Sequence, residues 1–350
     1  MRRRPILAFI VLGAVVAVAV SANALSNRTP RLAATTPESL IASTTKALSD
    51  SPSVSGSVAW HVDLGLPSIG GFRNATNPAD IVGGDHEVRV WMSHDGLRID
   101  DLLSMSQRSL FVSPTDAWAW DSETYAAYHL GPFEKTATPR EPVSPLPVPD
   151  PLEMAGRALA AVDPTTTVDL AKPVSVAGRA AYVLRLRPQT PKTLVGSIDI
   201  AIDAARSIPL RVSLFARDAS TAAVAVGFTS VRFGAIDPRV YRFTPPRGAT
   251  VKQTRIRFPH EPAMSPTGVR RPAGSPNESF RTFGSDWATV MAFRMASPAR
   301  GTKGSFDLRE LLPYTGPLFS ARLVDRGDHG WIVGGLVPQS ELILISSQLP

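Results

Sequence analysis

From Val54 the chain alternates: Val54, Gly56, Val58, Trp60, Val62 and Leu64 interleave with Ser55, Ser57, Ala59, His61 and Asp63. A period of two puts one set on each face of an extended strand, so this stretch reads as a long, half-buried β-strand. The pattern returns at Val88, Val90 and Met92. Asp95-Gly96 then signals a hairpin turn, and Leu97 to Asp100 opens the return strand. Leu110 to Val112, Ala117 to Asp121 and Thr124 to Leu130 continue as short strands. Tyr182 to Leu186, Ser197 to Ile202, Leu210 to Leu214 and Ala225 to Phe228 form a second series. Short connections such as Ala177-Gly178-Arg179 and Ala204-Ala205-Arg206 demand antiparallel neighbours.

Two helices interrupt this β pattern. Thr36 is placed as an N-cap before Pro37, with Leu40, Ile41, Thr44, Ala47 and Leu48 at helical spacing. Leu152 to Val162 gathers Leu152, Ala155, Leu159 and Val162 on one side. Gly65 to Asp85 is an irregular excursion, and Gly131 to Pro151 is a connection with seven prolines. His260 to Ser279 reads as a linker. Beyond it come a strand over Trp287 to Met295, a short helix over Asp307 to Leu312, and a hairpin of Phe319–Asp325 with Trp331–Leu336. A weak helix over Pro338 to Ser346 closes the chain.

The N-terminus sets the compartment. Arg2, Arg3 and Arg4 precede an uncharged apolar run from Ile6 to Val20, and Ala22-Asn23-Ala24 offers a signal-peptidase site. Ile6 to Leu25 is also long enough to span a bilayer. Residues 1–25 are therefore a signal peptide or a membrane anchor, and the rest of the chain lies outside the membrane in the cell envelope. With no cysteine in the chain, the fold stands on a hydrophobic core, and thiolate chemistry is excluded.

Charge is unevenly placed. The whole chain carries +7, while Arg239 to Arg281 alone holds nine basic residues against Glu261 and Glu278. Arg255, Arg257, Arg270 and Arg271 are the candidate contacts of this strip with an anionic membrane surface, the alternative being an ordinary solvated face. Nucleic acid is not an expected partner.

The scan for catalytic groups finds little. The six histidines are scattered, and no nucleophile elbow, His-Glu-x-x-His helix or phosphate loop is present. His86 and His94 flank one strand without a carboxylate ligand beside them. Asp100-Asp101, and Asp116 with Asp121 and Glu123, fit strand and turn positions better than catalysis. No enzyme activity, cofactor or metal is expected. Trp118 and Trp120 share a strand face, near Tyr125 and Tyr128, and must be buried or face a ligand.

Several ordered segments resemble the LolA/LolB/RseB lipoprotein-carrier superfamily over residues 36–251. They are the opening helix and strand, the aromatic hairpin of Leu110 to Leu130, and Gly178-Arg179-Ala180-Ala181-Tyr182-Val183-Leu184. Ile200-Ala201-Ile202-Asp203 before Pro209-Leu210-Arg211-Val212, and Phe243-Thr244-Pro245-Pro246-Arg247-Gly248-Ala249, complete the series. Phe283 to Leu349, with Trp331 to Pro338 as a strand-to-helix step, is similar in layout to the second domain of RseB.

The resemblance implies a mainly β fold with helices (α+β): an unclosed antiparallel β-barrel wrapping helices, plus a small C-terminal α+β module. The expected division is 33–255 for the half-barrel, 256–282 for a Pro/Arg-rich linker and 283–350 for the module. It further implies binding of lipid or an acylated protein in an apolar cavity, for transport or sorting. The alternative is an envelope-stress sensor or assembly partner that meets a membrane protein through its C-terminal module. Val58, Trp60, Val62, Val90, Met92, Trp118, Trp120, Tyr125, Ile198, Ile200, Val212 and Leu214 are the candidate lining residues, expected on one apolar face. Strand parity decides which set faces inward, since a one-residue slip moves a whole set across the sheet.

The topology is directly testable. Protease added to intact cells should digest the chain after Leu25, and any processed N-terminus should follow Ala24. Full protection of the chain in the cytoplasm would defeat the export reading.

Overall fold

The computed structural model describes residues 30–63, 84–131, 150–253, 280–296, 312–327 and 329–350. The N-terminal segment, Leu64, most of the two long excursions, Arg255, Arg257, Arg270 and Arg271 of the basic strip, and the helix expected at Asp307 to Leu312 lie outside these residues, apart from Leu312.

Helix α1 (Pro37–Ser49) opens where the sequence places it. Thr36 Oγ1 accepts from Ser39 N at 3.2 Å, and Pro37 occupies the first turn. Six strands follow: β1 (Val54–Val62), β2 (Gly84–Ser93), β3 (Gly96–Leu102), β4 (Gln107–Val112), β5 (Ala117–Asp121) and β6 (Ala126–His129). Helix α2 (Pro151–Ala160) is capped by Asp150, whose Oδ1 accepts from Leu152 N at 2.9 Å. Then come β7 (Thr166–Val176), β8 (Arg179–Pro188), β9 (Val195–Asp203), β10 (Pro209–Ala216) and β11 (Ala222–Phe233). A 3-10 turn at Pro238–Tyr241 leads to β12 (Thr250–Gln253), a strand that its polar sequence does not announce.

These twelve strands form one sheet in the order β12-β6-β5-β4-β3-β2-β1-β11-β10-β9-β8-β7. Every described pair is antiparallel except β12 with β6. The first and last strands in this order, β12 and β7, do not pair with each other, so the sheet is unclosed. Helices α1 and α2 pack on one of its faces. Leu40, Ala155 and Leu159 meet Leu184, Leu186, Ile200, Ile202 and Val212 there. Val54, Val58, Trp60, Val88, Val90, Ile99 and Leu110 extend the apolar layer across β1–β4.

The ends of the strands are pinned by charge. Asp203, 1% exposed, takes a bidentate contact from Arg179 and accepts from Arg206 N at 2.8 Å and Ala205 N at 3.1 Å. It thereby ties the β7–β8 turn to the β9–β10 turn. Arg179 and Arg206 both stack over Phe233 at the end of β11. Such buried charge is tolerable because its lone pairs are filled.

The second sheet has the order β13-β14-β17-β16-β15, from β13 (Phe280–Phe283), β14 (Val290–Ala296), β15 (Tyr314–Thr315), β16 (Ser320–Asp325) and β17 (His329–Gly335). The strand expected from Trp287 starts only at Val290, because Asp286 sits at φ +53° in a 3-10 turn. Helix α3 (Gln339–Ser346) forms despite its β-branched residues. Burial of Leu342 and Ile345 overrides local propensity, and Arg326 Nη2 holds the Ser346 and Leu349 carbonyls at 2.9 and 3.0 Å.

The small sheet docks against the large one. Leu336 O accepts from Leu194 N at 2.8 Å and Thr193 Oγ1 at 2.7 Å. Trp287 Nε1 donates to Thr166 Oγ1 at 2.9 Å. Leu318, fully buried, inserts among Val195, Ala216 and Ala223.

The α2 cap carries a pH signature. Burial pushes the Asp150 carboxyl up to about 6, against the lowering effect of its bond from Leu152 N. A raised folded-state value means that this group's stabilisation is complete below about pH 4 and is lost as pH rises through about 6. Asp150→Asn keeps a good cap and removes the buried charge. Denaturant unfolding at pH 7 should show a gain of at most about 3 kcal/mol, and a flatter profile between pH 4 and 7. A variant less stable than the parent at both pH values would refute the burial account.

Candidate functional site

The register decides which side chains share a face. Val58 lies opposite Val88 and Phe228, Trp60 opposite Val226, and Val226 opposite Val212. Val212 lies opposite Ile200, which lies opposite Leu184. Val58, Trp60, Val62, Val90, Met92, Ile198, Ile200, Val212 and Leu214 therefore all belong to the helix-side face. A β-bulge at Ser57/Val58 keeps β1 and β11 in this register.

This face is filled. Val58 is 1% exposed, Trp60 3%, Ile200 0% and Val212 4%. Val62 and Met92 pack at the rim of the same layer, and Ile198 packs beneath the helices. Trp60 stacks on His86 at 5.1 Å. Leu214 instead packs in the cluster that receives Leu318 from the small sheet.

Trp118 and Trp120 are not part of this layer, which corrects the expectation of a single face. Val90 pairs with Ile99, Ile99 with Leu110, and Leu110 with Ala119. Ala117 and Ala119 thus take the helix side, and Trp118 and Trp120, which alternate with them, point to the opposite face. The small residues at 117 and 119 were the available signal, since buried Ala117 and Ala126 mark where the helix-side layer narrows.

The tryptophans enclose a ring from their own chain. Phe243 lies 5.7 Å from Trp118 and 5.8 Å from Trp120, and stacks on Phe111 at 4.8 Å. Tyr125 meets Trp120 edge-on at 5.3 Å and donates to Arg247 O at 3.2 Å, leaving it 45% exposed. Tyr241 Oη donates to Ser93 Oγ at 2.8 Å. This clamp returns the chain to the sheet edge, where β12 pairs with β6.

Polar groups near the clamp are engaged. Asp116 accepts from Trp118 Nε1 at 2.9 Å and contacts His129 Nε2 at 2.6 Å, while His129 Nδ1 meets Gln253 Oε1 at 3.1 Å. His61 and His94 pair with Asp85 and Asp95. His86 and His94 do not meet. Asp100 is buried against Arg98, with contacts of 3.0 and 2.7 Å. Asp121 serves its turn, accepting from Glu123 N at 2.8 Å. A Ser-x-x-Lys spacing, Ser43 to Lys46, does occur on α1. There Ser43 donates to Leu40 O at 3.0 Å and Lys46 pairs with Asp50 at 3.2 Å, so the two side chains do not act on each other. Among the described residues no group of three His, Asp or Glu side chains can hold a metal ion, and no helix is long and apolar enough to cross a membrane. Arg255, Arg257, Arg270 and Arg271 lie outside the described residues.

No family model and no curated protein matches the chain. Among solved structures it is similar to the complex of Pseudomonas aeruginosa MucA/MucB, at 15% identity over 89% of this chain and 96% of that one, with a TM-score of 0.46. It is also similar to a LolA superfamily protein from Nitrosomonas europaea, at 8% identity over 60% of this chain and 99% of that one, with a TM-score of 0.23. Likenesses this distant carry nothing about ligand or partner. The topology itself, an unclosed sheet with helices on one face and a smaller sheet beside it, is the architecture that the motifs anticipate.

If the aromatic cluster is a clamp, Phe243→Ala should cost about 2–4 kcal/mol in urea unfolding, somewhat below the range for a fully buried ring. Unchanged stability would show that the rings are free for another task.

Proposed function

We propose that the protein is a non-enzymatic binding protein of the cell envelope, which holds an acyl chain of a lipid or an acylated protein between α1, α2 and the helix-side face, for transport or sorting. The observation that supports this is the apolar layer running from β4 through β1 to β8, with two short helices packed over part of it. α1 commits only Leu40 and Thr44 as buried residues, and α2 only Pro151, Ala155 and Leu159.

A ten-residue helix is marginal by itself, and Gly156 in its middle weakens it further. α2 therefore depends on packing. Lifting it exposes aliphatic side chains that an acyl chain covers equally well, so the exchange is apolar for apolar and nearly balanced. The filled interior is then the unliganded state of a lid. The basic strip with Arg255, Arg257, Arg270 and Arg271 adds attraction to an anionic membrane surface, in keeping with a ligand that comes from a bilayer.

A second reading has its own observation. Ile343 and Leu344 stand side by side on α3 at 56% and 59% exposure, an apolar pair suited to a membrane-protein partner. Replacing both by serine should abolish capture of such a partner and leave acyl binding intact.

For the first reading the reporter is built in. A brominated fatty acid should quench tryptophan fluorescence of the mature protein, and Trp60→Phe should remove most of that quenching. Quenching that persists undiminished in Trp60→Phe, or no binding of any acyl probe, would refute a helix-side ligand.

A further inference from the structure

The face of the sheet turned away from α1 and α2 carries a cavity of about 500 Å³ across β7–β10. Its position follows from the register. Val183 pairs with Ala201 and Ala201 with Arg211, one residue out of phase with the buried Leu184, Ile200 and Val212. By strand parity the wall side chains lie out of phase with Leu184, Ile200 and Val212, apart from Leu170 on the edge strand, while Val183 and Ala201 also border the cluster that holds Val58 and Trp60.

We propose that this cavity is a separate binding site for a small amphipathic anion, with the Arg211 guanidinium taking the carboxylate or phosphate end and Phe215 and Val183 supporting the apolar body. Its charges are unequally occupied. Arg185 is engaged by Asp199 through two contacts of 2.7 and 2.6 Å. Arg211 faces the same space, and among the described residues no hydrogen bond or ion pair holds it. Asp199, the one carboxylate in the lining, is already taken. Lys172 at the rim adds a further positive charge, so the lining carries a net excess of two cations.

The arrangement of Arg211 is built into the strand pairing. Opposite it on β11 stands Gly227, where an added Cβ would lie 2.7 Å from Arg211 Cγ and 2.8 Å from its Cβ. Glycine there lets the arginine stem lie flat against β11. Ser213, 7% exposed, is the next residue on this face of β10 and supplies a hydroxyl donor. Burial draws the Arg211 pKa below the usual guanidinium value, partly offset by Asp199. A desolvated fork of donors with nothing to bind is costly, and an oxyanion is its natural complement. The apolar wall excludes water from one side and favours an anion that carries hydrocarbon.

The test is calorimetric titration of the full mature chain at low salt with octanoate, octyl phosphate, octanol and inorganic phosphate. One or both octyl anions should bind, and the tighter of the two identifies the head group as carboxylate or phosphate. Octanol and inorganic phosphate should bind at least about tenfold more weakly, and Arg211→Gln should weaken the anion by about 10- to 100-fold. Gly227→Ala, which displaces the stem without removing the charge, should weaken it as well, and it decides the matter if Arg211→Gln does not fold. Octanol binding as tightly as octanoate, or anion binding unchanged in the folded variants, overturns the site. Bromine quenching at Trp60 reports the helix-side ligand separately, so either idea can fail without the other.

Discussion

A sheet of twelve strands that does not close must find cover for one apolar face, and most of this molecule follows from that need. The layer formed by Val58, Trp60, Val88, Val90, Ile200 and Val212 is buried almost completely. Each large aliphatic side chain removed from water contributes roughly 1.5–3 kcal/mol, which makes this layer the main source of stability in a chain without disulfides. Helices α1 and α2 are held by that layer more than by their own propensity. The same dependence makes them replaceable by another apolar body.

The opposite face follows different rules. Among the described residues neither α1 nor α2 covers it, and it combines ion pairs with aromatic rings. Arg98 pairs with Asp100 and stacks over Trp91 and Phe111 at 5.0 and 4.8 Å. Arg185 pairs with Asp199, and Arg187 with Asp169. Phe243 seals the far end of this face against Trp118 and Trp120. Arg211 on the same face makes no ion pair among the described residues, and the cavity lies in front of it.

The two sheets are joined by specific polar contacts and one buried side chain. The Leu336 carbonyl takes two donors from the Thr193–Leu194 turn, and Leu318 fills a gap at the ends of β9, β10 and β11. Leu214, on the strand that also carries Arg211 and Val212, packs in that same cluster.

The alternation of residues determined the strands, and the Thr36 cap determined where the first helix begins, because both signals are local. The motifs also carried the order of the elements and the presence of a second, smaller sheet. Other features depended on partners far away in sequence. Whether Trp118 or Ala119 faces the helices is decided by a chain of pairings from Val90 through Ile99 and Leu110, and period two is silent about which of its faces is inside. β12 exists because Tyr125, Trp118 and Trp120 hold the returning segment beside β6; its own four residues are all exposed. α3 forms because Leu342 and Ile345 have a sheet to pack on. The Arg211 cavity arises where Gly227 of β11 meets β10. Local sequence fixes the period of a strand, but only the long-range register fixes its neighbours, and neighbours decide what is filled and what is left open.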